Sequence, residues 1–151
     1  MRASVSRPDP DDEFATLRVL LMRVDYLRRL WRDAAKAARD TGSAADAVAP
    51  GGALFIPLWA ATTLCLASLY VVVEGWERLG LKDAVIDGLL AETGRVAALR
   101  DLRNSVFHFG AIHNPAFMGV LADDATTEWA GSLHGAFRRF IDARLISGGA
   151  A

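Results

Sequence analysis

The sequence predicts an all-α fold in a single domain, and three observations predict it. Apolar residues recur at spacings of three and four along most of the chain, which is the period of an amphipathic helix. Ala53 to Val73 is a run of twenty-one residues without a charge, long enough for one central helix. The chain has 151 residues with 52% apolar against 23% charged, which suits one domain with a sizeable core and excludes a disordered chain.

Residues 1–8 read as a flexible tail, followed by a helical domain over 9–146. Asp9-Pro10-Asp11-Asp12-Glu13 starts the first helix, with Asp9 as N-cap, Pro10 in the first turn and acids at the positive end of the dipole. That helix runs to about Asp40 on Phe14, Leu17, Leu21, Val24 and Trp31, thickened by Leu20, Leu27 and Leu30. Arg18, Arg28, Arg29 and Arg32 alternate with Asp25 and Asp33, so this basic run reads as a solvated face rather than an RNA contact. Residues 41–52 are a loop rich in Ala, Gly, Ser and Pro.

The uncharged run Ala53–Val73 permits a membrane span by length. Pro57, Thr62, Thr63 and Ser68 dilute it, and Glu74 and Glu77 follow at once. A buried core or dimer helix is the preferred reading, and a membrane span is the lesser one. Pro57 marks the expected start and Gly80 the expected stop. Leu81 to Glu92 reads as a short helix with Leu81, Val85, Leu89 and Leu90 inward. Thr93 is the expected cap of the next helix, which ends near Gly110. His113-Asn114-Pro115 is a turn, and Phe117, Met118, Val120 and Leu121 form an apolar patch. Asp123-Asp124 precedes a last helix that begins near Ala125 and buries Trp129, Leu133, Phe137, Phe140, Ile141 and Leu145, with His134, Arg138 and Arg139 flanking that face. Residues 147–151 read as a second flexible tail.

Seventeen basic against eighteen acidic residues give a net charge of −1. Proteins held on nucleic acid by general electrostatics are basic, so any RNA contact here is local. The lone Cys65 excludes an intrachain disulfide and reads as a core thiol. Three scattered histidines set up no zinc pattern, and no cofactor motif stands out, so neither a metal nor a cofactor is expected. Met1 to Glu13 has no apolar signal region, so the expected location is cytoplasmic.

The chemistry-bearing stretch is Arg103-Asn104-Ser105-Val106-Phe107-His108, on a helix whose apolar residues are Val96, Leu99, Leu102, Val106 and Phe109. At about 100° per residue, Asn104 and His108 share a face, whereas Arg103 and His108 point roughly 140° apart. One helix alone converges them poorly on a small ligand, and two copies meeting across a dimer axis converge them better. Taken by themselves, the residues also fit a solvated arginine and a core-flanking imidazole.

Arg103-Asn104 with His108 four residues on, late in a helical chain, resembles the motif of the HEPN superfamily. The order Leu69-Tyr70-Val71-Val72-Val73-Glu74-Gly75-Trp76-Glu77-Arg78-Leu79, then Ile86-Asp87, then the motif, is similar to small bacterial HEPN-related proteins, over roughly Trp59 to Phe140. The resemblance implies an antiparallel helical bundle of four to five helices that dimerises through the motif region. It also implies a metal-independent endoribonuclease of toxin–antitoxin or phage-defence type, with an RNA substrate and an antitoxin or other protein partner. Arg103, Asn104 and His108 would be catalytic. Glu74 would support them by pairing with Arg103 or orienting His108, unless it is an exposed helix-end carboxylate. His113 lies just beyond the motif and either assists the site or is a plain loop residue, the latter preferred. The alternative is a non-catalytic HEPN-like dimer that binds a partner protein or nucleotide.

Overall fold

Short-range capping chemistry decides where the helices begin and end. The computed structural model describes residues 9–40, 51–52, 55–107 and 123–148. They form α1 (Pro10–Asp40), α2 (Phe55–Leu79), α3 (Ala84–Leu90), α4 (Thr93–Phe107) and α5 (Asp124–Gly148), with no strand among the described residues. The protein is an all-α helical bundle.

Asp9 begins α1, its Oδ1 accepting from the Asp11 amide at 3.0 Å, and three acids occupy the first turn. The α2 helix starts at Phe55, two residues before the expected Pro57. Pro57 lies in the first turn, where an amide hydrogen has no partner within the helix and proline is tolerated. Gly80 ends α2 in the left-handed conformation (φ 61°). Its amide donates to Glu77 and that of Leu81 to Trp76, which closes a Schellman motif.

The short helix is tighter than the expected 81–92. Asp83 caps it by accepting from the amides of Val85 and Ile86. That cap fixes its phase, so Ile86 is fully buried and the expected inward Val85 is 56% exposed. Thr93 is not the cap of α4 but its first residue. The cap position belongs to Glu92, whose carbonyl accepts from Arg95 and Val96. Asp123 caps α5 through the Ala125 and Thr126 amides, so α5 starts one residue before the expected Ala125. It continues to Gly148, into what the sequence suggested was tail. The tail 1–8, most of the 41–52 loop, the expected end of α4 near Gly110, the 113–115 turn and the 117–121 patch lie outside the described residues.

Cross-helix pairs give the directions. Glu13 meets Arg78, and Leu17 lies against Gly75, so α1 and α2 are antiparallel. Phe14 lies under Arg144 and Asp25 meets His134, so α5 is antiparallel to α1 as well. The α2 helix packs along α1 and α4, while α5 packs across α3, α1 and α2.

The core centres on Trp76, whose ring lies edge-on to Phe137 (5.5 Å) and Phe140 (4.8 Å). Its indole N–H reaches Asp87 at 3.4 Å. Leu17, Leu21 and Val24 of α1, Leu99 and Leu102 of α4, and Leu133 and Ile141 of α5 are buried as the spacing predicts. Leu30, Trp31 and Leu145, expected inward, are exposed instead.

The α2 helix is buried through its middle, and its Thr62 and Thr63 hydroxyls donate back to Leu58 and Trp59 carbonyls. From Ile56 to Leu79 it is also long and apolar enough to cross a membrane, by length and composition alone. Cys65 is a buried free thiol, pushed up to about 11 by that burial.

Candidate functional site

The side-by-side packing of α2 and α4 brings Arg103 onto the edge of the uncharged helix. Leu99 and Leu102 are buried on one face of α4, which turns the neighbouring Arg103 towards the α2 boundary. There Glu74 is the first acid after the apolar run. Arg103 Nη2 donates to Glu74 Oε1, and Nη1 donates to Asn104 Oδ1 at 2.8 Å. The guanidinium carbon stands 5.3 Å from the centre of the Tyr70 ring. Of the two supporting roles expected for Glu74, pairing with Arg103 is the one observed.

This is a held arginine rather than a solvated one. Its side chain keeps 23% exposure against 40% for Glu74. Arg103 Nε is buried without a hydrogen-bond partner among the described residues. A guanidinium carries five N–H donors; two are engaged with protein oxygens, the Nε–H is buried, and two are uncommitted among the described residues. Glu74 offsets the positive charge, so a second anion binds here more weakly than at a free arginine unless Glu74 moves. Tyr70 is pushed upward, first by burial and then by the Glu74 charge, so its phenol stays protonated and can donate.

Arg103, Asn104 and Glu74 are therefore brought together. His108 and His113 lie outside the described residues. Tyr70 was not singled out from the sequence, although it stands four residues before Glu74, a spacing that shares one helix face.

A second polar cluster pairs His134, which the sequence places beside the apolar face of the last helix, with Asp25, which it places on a solvated face. His134 is only 7% exposed, and its Nε2 lies 2.7 Å from Asp25 Oδ1. With a carboxylate opposite, Nε2 is the nitrogen that carries the hydrogen. The burial of His134, though not its partner, is legible in the spacing, because Ala130, His134, Phe137 and Ile141 share the inward face of α5 at spacings of four, three and four. Burial and then the nearby Arg28 charge push His134 below its ordinary value, against an opposing pull from Asp25. No protein-family model, curated protein or solved structure matches this chain.

Proposed function

We propose that this chain is a HEPN-like metal-independent endoribonuclease, with a composite site formed by two copies meeting at the Arg103–His108 segment. The observation that supports it most is the held Arg103, fixed by Glu74, Asn104 and Tyr70 with donors left over. RNA brings its own nucleophile. His108 removes the 2′-hydroxyl proton, the 2′-oxygen attacks the adjacent phosphorus, and the P–O5′ bond breaks as a His108 imidazolium of one of the two copies gives its proton to the 5′-oxygen. Arg103 places two N–H groups on the non-bridging oxygens as charge builds on the phosphorane. The products are a 2′,3′-cyclic phosphate and a 5′-hydroxyl. In this reading Glu74 is a positioning residue that keeps the guanidinium plane aimed, and Asn104 positions Arg103.

The test is cleavage of labelled RNA in EDTA by wild type and His108→Ala, with both checked by sizing and circular dichroism. Wild type is expected to cut and the variant to retain fold without cutting. Equal cleavage by the two proteins would overturn the assignment.

One observation favours a second reading. Glu74 offsets the Arg103 charge, as in a structural hydrogen-bond cluster. The chain would then be a non-catalytic dimer that binds a partner protein or nucleotide. Arg103→Ala would weaken dimerisation in sizing experiments, and no RNA would be cut.

A further inference from the structure

Arg28, Arg29 and Arg32 lie within five residues of α1, where the sequence suggests that Asp25 and Asp33 balance them. The packing distributes these charges differently. Asp25 turns towards α5 and is engaged by His134. Arg28, Arg29 and Arg32 form no ion pair with a carboxylate among the described residues.

Together with Arg138 of α5 these arginines line an open groove of about 480 Å³, alongside His134 and Gly135. Four arginines and a single carboxylate, Asp25, line it, in a chain whose net charge is −1. Arg138 has only a loose contact with Asp142, 3.8 Å apart and largely exposed on both sides, which leaves it free to turn. The Arg28 guanidinium lies against α5, its Nη2 3.6 Å from where a Cβ on Gly131 would stand, an ordinary contact distance.

We propose that this groove binds a ligand carrying at least two linked phosphate groups. A guanidinium fork matches two phosphate oxygens, and four forks around one groove exceed what a single phosphate can engage. A buried imidazole beside an unpaired arginine is an arrangement that a bound anion relieves. The phosphates come either from a free diphosphate, as in a nucleoside diphosphate, or from the backbone of single-stranded nucleic acid. This inference does not depend on ribonuclease activity at Arg103.

Calorimetric titration of the full chain with pyrophosphate, adenosine diphosphate and a ten-nucleotide single-stranded RNA tests it. The variants are Arg29→Gln, Arg32→Gln and Arg138→Gln, singly and combined, with Arg100→Gln on α4 as control. All four positions are exposed, so folding is expected to survive and is checked by thermal melting. Wild type is expected to bind pyrophosphate at low salt. Each single variant is expected to raise the Kd about tenfold, and Arg100→Gln to leave it unchanged. Diphosphate or nucleotide binding without RNA binding assigns the groove to a free ligand. RNA binding whose salt slope falls by about one for each arginine removed assigns it to a nucleic-acid backbone. Absence of binding by all three probes, or an unchanged Kd in the combined variant, overturns the proposal.

Discussion

Arg103 of α4 and Glu74 of α2, 29 residues apart in sequence, are ion-paired across the boundary between two helices. The pair is part-exposed, so water and salt screen it, and its net contribution is about 1 kcal/mol or less. Glu74→Gln preserves the shape and a hydrogen-bond acceptor while removing the charge. Urea unfolding at low ionic strength is expected to show a loss of about 0.5–1 kcal/mol, shrinking in 1 M salt. A loss that ignores salt would mean that the pair is shielded from solvent ions, against its part-exposed position.

Two glycines in helices are expected to respond in opposite directions to the same substitution. A Cβ on Gly75 would lie 2.8 Å from Leu17 Cδ1, and Leu17 is buried where α1 crosses α2. Gly88 of α3 has nothing within 4 Å of the same added atom. Alanine in place of a helical glycine ordinarily stabilises by about 0.5–1 kcal/mol, which Gly88→Ala should deliver. At Gly75 that gain is outweighed by overpacking that costs about 1–3 kcal/mol, so Gly75→Ala should lower stability. Denaturant midpoints that rise for both variants would show that α1 can move away from α2 without cost.

These two cases also separate what could be read in the sequence from what could not. Leu17, Leu21, Val24, Leu133 and Phe137 declare their burial through spacing, because a helix buries one stripe and that stripe is periodic. Val85 and Ile86 do not, since both are apolar neighbours and only the Asp83 cap fixes which of them faces in. The nearness of Glu74 and Arg103 was foreseeable only on the condition that α2 and α4 pack side by side, which is tertiary information. The Asp25–His134 pair depends on α1 meeting α5, and no local pattern encodes it. Asp25 reads as part of a solvated charge run because the nearest charges along the chain are Arg23 and Arg28, whereas its spatial partner is an imidazole.

The buried imidazole should leave a trace in acid stability. Burial and then Arg28 hold the folded His134 below its ordinary 6.5, while Asp25 pulls the other way. Above pH 6.5 the ring is neutral in both folded and unfolded chains, and its contribution is flat. As the pH falls below 6.5 the unfolded chain takes up the proton first, so the unfolded state binds more protons and stability drops. The loss continues until the folded imidazole itself titrates. Urea unfolding of wild type and His134→Gln at pH 7.5, 6.5 and 5.5 reads this effect by difference, because the variant keeps every carboxylate and lacks only the imidazole. The stability advantage of wild type over His134→Gln is expected to shrink as the pH falls through this window. If the two curves stay parallel, the imidazole takes up its proton equally readily in the folded and unfolded chains, and Arg28 and burial do not hold it neutral.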